Sequence, residues 1–195
     1  RGYRVSFDRP YNFFSANDGS GDLFYWEAPF LRFLEQEGIP YEVCTSLDLH
    51  QNPHLLDPYK MFMSVGHDEY WTKEMYDAVE RYVDGGGNLA FFSGNVLWWQ
   101  VRFENNGRTM VCYKSAALDP LTGVDNTRVT VNWNAPPVNR PPSRLLGIYY
   151  NNSYGVLPTG FQVVNPHHWA YRGVAVDSGQ VFGYPMVGFE VDART

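Results

Sequence analysis

His67, Asp68 and Glu69 follow one another in the stretch Gly66-His67-Asp68-Glu69-Tyr70-Trp71, the densest cluster of reactive side chains in the 195-residue chain. A neutral imidazole and an ionised carboxylate both offer lone pairs, to a proton or to a hard or borderline cation, so the cluster suits acid/base work or metal binding. If the backbone stays extended, side chains alternate: His67 and Glu69 point to one side and Asp68 to the other. The competing reading is structural, with Asp68 or Glu69 capping the next helix and His67 hydrogen-bonding to a loop. The residues alone leave both open.

A second cluster, Ser93-Gly94-Asn95, closes another apolar run. Several α/β hydrolases hold a nucleophile at such an elbow, but the Gly-x-Ser-x-Gly pattern is missing. Asn95 fits better as a side-chain amide that orients a substrate or stabilises an oxyanion. Neither Cys44 nor Cys112 falls at this elbow, which argues against a thiol mechanism. Both lie in short strand-like stretches without zinc or redox spacing and read as buried free thiols. His50 and His54 sit in a polar segment with no suitable partner spacing and read as solvated. Trp98-Trp99 and His168-Trp169 would suit a stacking surface, although paired tryptophans more commonly pack in a core.

The elements that must position these groups follow from pattern. Residues 59–65 form a mostly apolar run, Thr72 is a plausible helix N-cap, and Met75, Val79 and Tyr82 share the face of a helix that Gly85-Gly86-Gly87 breaks. A strand over 88–92 follows at once. Strand, helix and strand in this order predict a parallel pair with a crossover helix, and ligands gather beyond the carboxyl ends of such strands. Upstream, the pattern predicts a strand over 3–7, a turn-rich loop over 15–22 and a helix over 23–37. That helix has an apolar stripe of Trp26, Phe30, Phe33 and Leu34, and Gly38 is its left-handed stop. Pro29 marks the helix start or a kink. A strand over 41–45 and a loop over 46–57 complete the first half. The second half reads as short strand pieces over 109–113, 128–133, 161–164, 180–182 and 186–191, packed as a β-rich extension, with a Pro- and Asn-rich loop over 134–142.

Composition narrows the partners. The net charge of -6, with Lys and Arg scattered singly, argues against nucleic acid. No apolar run is long enough to span a membrane and the first residues lack a signal-peptide pattern, so the domain reads as soluble; buried free thiols favour a reducing, cytoplasmic compartment, with a signal peptide upstream of Arg1 as the alternative. Length and 44% hydrophobic content suit a single domain over 1–195. The start at Arg1 without Met reads as a fragment of a longer chain.

Four words occur in order: Val5-Ser6-Phe7-Asp8-Arg9-Pro10-Tyr11, Ser64-Val65-Gly66-His67-Asp68-Glu69-Tyr70-Trp71, Gly86-Gly87-Asn88-Leu89-Ala90-Phe91-Phe92-Ser93-Gly94-Asn95 and Gly107-Arg108-Thr109-Met110-Val111-Cys112-Tyr113-Lys114. Through them the chain resembles, over nearly its whole length, the C-terminal region of the large (β) subunit of the N,N-dimethylformamidase family. The resemblance implies a glutamine-amidotransferase-like (flavodoxin-like) α/β fold, a parallel sheet with helices on both faces and a β-rich C-terminal extension. It also implies hydrolysis of the C–N bond of a small amide at a mononuclear ferric iron, Fe(III), held by two tyrosines and a glutamate, with metal-activated water as nucleophile. Phenolates are hard anionic ligands that suit ferric iron, and the Lewis acid lowers the pKa of bound water.

Carried over residue by residue, the resemblance makes Glu69 the iron ligand, His67 its proton-handling neighbour, Asn95 a substrate contact and Glu190 a catalytic glutamate. Tyr11 is the candidate tyrosine ligand, with Tyr3 and Tyr25 as rivals and the second tyrosine upstream of Arg1. A small partner subunit and a homo-oligomer are compatible with the family. The alternative is a non-catalytic carbohydrate or small-ligand binding module on the same fold, without metal and lined by aromatics.

Overall fold

The computed structural model describes residues 2–9 and 23–193, and for residues 25, 151–158, 188, 189 and 193 the backbone alone. Its centre is a strand–helix–strand unit. Strand β2 (Met61–His67) pairs in parallel with β4 (Asn88–Gly94), in register from Met61↔Asn88 to His67↔Gly94. Helix α3 (Lys73–Asp84) crosses between them. It starts at Thr72, whose hydroxyl accepts the Met75 N–H at 3.2 Å, and it turns Met75, Tyr76, Ala78, Val79 and Tyr82 inward. These side chains bury against Trp71, Leu97 and Trp133 in the main core, where a side chain such as Met75 or Val79 contributes about 2 kcal/mol. The Gly run ends the helix as the sequence predicts, with Gly86 left-handed at φ 94°.

The flavodoxin-like sheet with helices on both faces, the glutamine-amidotransferase-like architecture expected above, is not what the chain builds. Strands β1 (Arg4–Ser6), β3 (Tyr70–Thr72), β5 (Trp99–Glu104) and β6 (Thr109–Val111) form a separate sheet in the order β1-β6-β5-β3. In it only β3 and β5 run parallel; the other two pairs are antiparallel. Strands β7 (Tyr149–Gln162) and β8 (Val181–Ala193) form an antiparallel pair whose register shifts four times. Among the described residues, parallel pairing thus stops at two strand pairs.

Two local causes account for this. Residues 41–45 form no strand; instead Thr45 and Asp48 cap each other reciprocally and start helix α2 (Ser46–Gln51) within the predicted loop. After β4, left-handed backbone at Asn95 (φ 54°) and Leu97 (φ 58°) turns the chain into β5 with no crossover helix. A tight turn through Asn105, Asn106 and Gly107, all at positive φ, then folds β6 back antiparallel to β5.

Smaller differences also have local reasons. Helix α1 (Ala28–Gln36) follows one wide turn at Leu23–Glu27 and holds Pro29 in its first turn, where a missing N–H costs nothing. In its predicted stripe Leu34 is buried, Phe30 packs on Phe92 at 5.1 Å and Phe33 stays 48% exposed, so the stripe is only partly core. Gly38 is left-handed, as predicted. Both cysteines are free, but Cys44 is exposed outside any strand and Cys112 lies half-buried beyond the end of β6, its thiol pushed up to about 11 by burial. The pieces at 161–164, 180–182 and 186–191 merge into β7 and β8, while 128–133 makes only a single bridge, Trp99↔Asn132. Helix α4 (Ser143–Leu146) lies between these regions, and the predicted loop at 15–22 falls outside the described residues. No helix among the described residues is long and apolar enough to cross a membrane.

Candidate functional site

The parallel pair and the distant hairpin meet at one point. His67 ends β2, and its Nε2 lies 3.7 Å from Glu69 Oε2 and 3.0 Å from Glu190 Oε2, which β8 brings in. His67 is one-third exposed at its side chain, whereas Glu69 and Glu190 are 14% and 11% exposed, so the carboxylates form the floor and the imidazole the rim. The short approach of Glu190 lies off the line of a hydrogen bond, which leaves Glu190 Oε2 a buried oxygen with no hydrogen-bond partner among the described residues. Burial pushes the Glu69 carboxyl above its ordinary range; Lys114 and His67 pull it back, and Glu190 adds to the rise.

The alternation predicted for residues 67–69 holds. Asp68 turns away and accepts the Ser64 hydroxyl at 2.7 Å, and burial raises its pKa. Neither Asp68 nor Glu69 caps α3, since Thr72 does. Their backbone carbonyls instead hold the segment after β4: Leu97 N–H donates to Asp68 at 3.0 Å, and Trp98 and Trp99 N–H donate to Glu69 at 2.9 Å. Asn95 follows directly on Gly94, the register partner of His67. It is 3% exposed, and its side-chain Oδ1 has no hydrogen-bond partner among the described residues.

Two glycines make the convergence sterically feasible. A Cβ at Gly94 would stand 2.3 Å from the Glu190 carbonyl oxygen, so β8 packs backbone on backbone there. Gly66, at φ 91°, would place a Cβ 2.7 Å from Trp26 Cβ and 3.1 Å from Glu27 Oε1, so its bareness lets the turn before α1 approach beside His67.

Other sequence candidates fall elsewhere. Tyr11 lies outside the described residues, as does the side chain of Tyr25, and Tyr3 stacks on Tyr113 at 4.8 Å. The Ser93 hydroxyl donates to the Gly66 carbonyl at 2.7 Å. His50 is not solvated as predicted: its Nδ1 pairs with Thr72 Oγ1 at 2.8 Å and lies 3.4 Å from Glu74. His54 is exposed beside Asp57. Trp98 and Trp99 meet edge to face at 6.2 Å, and Trp98 abuts Tyr150 at 5.2 Å.

Lys114 and Asp192 were given no role by sequence reasoning. Lys114, at φ 56°, donates to the Tyr70 hydroxyl at 3.0 Å and lies 4.7 Å from the Trp99 ring centre. Asp192 Oδ1 accepts the Asn95 N–H at 3.0 Å. Lys114 closes one of the four recognised words and Asp192 stands two residues from Glu190, which is the only signal that pointed to either.

Among the described residues no group of three or more His, Cys, Asp or Glu side chains is arranged to hold a metal ion. His67, Glu69 and Glu190 form a close group of three titratable side chains. With this geometry in view, the family model for the "N,N-dimethylformamidase beta subunit-like, C-terminal" region matches residues 1–195. The chain belongs to that family. An N,N-dimethylformamidase beta subunit of Alcaligenes sp is 35% identical over 81 residues, 39% of this chain and 11% of the relative. The N,N-dimethylformamidase beta subunit of Paracoccus aminophilus is 33% identical over 81 residues, with the same shares. The match thus spans about a tenth of each relative's length, and both relatives are named as one subunit of an enzyme.

Proposed function

We propose that this domain takes part in hydrolysing the C–N bond of a small amide, with His67, Glu69 and Glu190 as its proton-handling cluster. Family membership supports the reaction class, and one observation supports the choice of residues: His67 Nε2 lies within 4 Å of two largely buried carboxylates contributed by different parts of the chain.

Amide hydrolysis needs a base to take a proton from water and an acid to deliver one to the departing nitrogen. Glu190 Oε2, buried without a hydrogen bond, is the acceptor oriented for the first task. His67, 3.0 Å away and at the solvent-facing rim, can take that proton and return it to the leaving amine. The buried Asn95 amide, one residue beyond the register partner of His67, orients the carbonyl.

A ferric ion would add Lewis-acid activation of water and carbonyl. Glu69, a hard and largely buried carboxylate, is the described residue suited to hold one, with phenolates supplied by residues outside those described. We propose as well, from the subunit names of the relatives, that the chain works in a multi-subunit assembly.

The test is formate and dimethylamine release from N,N-dimethylformamide by the full polypeptide, with metal analysis of the same preparation. Glu190→Gln is expected to lower kcat by about 100-fold or more. A wild-type protein with no amidase activity would contradict the reading. A metal-free protein that hydrolyses amides would remove the iron and leave the proton cluster. The binding-module alternative predicts ligand affinity without turnover.

A further inference from the structure

We propose that Asp192 is a positioning residue that fastens the Asn95 turn to strand β8 and so fixes Asn95 and Glu190 relative to each other. The use made of that geometry rests on the hydrolase reading above; the fastening does not.

Asp192 stands two residues beyond Glu190, so both side chains project from the same side of β8. One side chain enters the proton cluster at His67, and the other accepts the Asn95 N–H at 3.0 Å. Burial pushes the Asp192 carboxyl above its ordinary range and Glu190 adds to the rise, while the backbone N–H groups of Asn95 and Val96 pull it partway back. A buried side-chain oxygen that accepts a backbone N–H ties that point of the turn to β8, because breaking the bond would leave both groups buried and unpaired.

The turn needs holding. Asn95 and Leu97 both have left-handed backbone, which Asn tolerates and Leu disfavours. The Asn95 Oδ1 adds no hydrogen bond to the turn, since it has no partner among the described residues. On its other side the segment is tied to the carbonyls of Asp68 and Glu69 through Leu97, Trp98 and Trp99. Asp192 supplies the tie that these backbone bonds lack, the one to the hairpin.

The hairpin needs it too. Among the described residues strands β7 and β8 pair only with each other, so no ladder of hydrogen bonds there joins Glu190 to the parallel pair. Contact at Gly94 sets how close β8 comes, and Asp192 sets where along β4 it stops.

The test compares Asp192→Ala and Asp192→Asn with wild type in the full polypeptide, by amide hydrogen exchange and by steady-state hydrolysis of N,N-dimethylformamide. In Asp192→Ala the amides of residues 95–97 should lose protection while those of α3 keep it. Its kcat should fall by about 100-fold with KM within two-fold, the scale of a small misplacement of reacting groups. Asp192→Asn, which keeps an acceptor oxygen, should recover most of both. Unchanged exchange at 95–97 in Asp192→Ala would overturn the proposal, as would protection lost equally throughout the chain. If wild type hydrolyses no amide, the functional reading fails, and the exchange measurement still decides whether Asp192 fastens the turn.

Discussion

The β2–α3–β4 unit and the β7–β8 hairpin each deliver a carboxylate to His67, but they are built by different rules. In the first, every feature is local: a capped helix with a buried face, a glycine stop, and two strands in unbroken parallel register. In the second, register shifts four times and the pair has no third strand among the described residues. A site assembled from both inherits rigid placement for His67 and Glu69, and placement by docking for Glu190. The docking points, Gly94 and Asp192, are therefore where small changes should separate catalysis from stability.

The largest expected effect is at Gly94. A Cβ there would meet the Glu190 carbonyl at 2.3 Å, and that neighbour is backbone, so the hairpin itself must move. Gly94→Ala should cost about 100-fold in kcat/KM for amide hydrolysis. The stability cost should stay within the roughly 1–3 kcal/mol of an overpacked contact, read from denaturant midpoints. Retained activity would show that the hairpin does not place the catalytic carboxylate.

Val79 tests the other region. It is fully buried on α3, and Val79→Ala should lower stability by about 2 kcal/mol through lost burial and a cavity. Catalytic rates well below the melting transition should stay within a few-fold, because the parallel pair keeps its register. A loss of activity like that of Gly94→Ala would erase the proposed contrast.

A smaller effect concerns pH. Burial alone would raise the Asp119 carboxyl, but hydrogen bonds from Arg102 and Thr130 outweigh it and hold Asp119 below the usual range. Its folded pKa is depressed, so its contribution is fully present above the unfolded value of 3.8 and is lost as pH falls through the folded value. Asp119→Asn should flatten that acid limb of the stability profile without shifting the pH dependence of catalysis, since the Arg102–Asp119 pair belongs to neither region that forms the site.

What the sequence disclosed follows the same division. The turn of His67 and Glu69 to one side needs only strand alternation, and Thr72 and Gly86 bracket α3 by their own conformational preferences. Asn95 was legible from its place at the end of an apolar run and again from the family resemblance, Glu190 from the resemblance alone. The hairpin stayed fragmentary because Pro158 and Pro185 and several glycines interrupt each run, so that pairing depends on a partner far along the chain. Helix α2 was hidden because its capping partner is Asp48 where Glu or Gln is usual. Asp192 was invisible for a different reason: its partner is a backbone N–H exposed only by the left-handed turn at Asn95. The parallel sheet failed as an expectation because one good crossover unit does not dictate what pairs at its edges.

The central claim is that His67 and Glu190, drawn from the two regions, act as one unit. A double-mutant cycle on kcat/KM with His67→Ala, Glu190→Gln and the combination measures this directly. The account predicts that each single change removes most of the activity and that the double change costs little more than either. Costs that simply add would show two independent residues and contradict it.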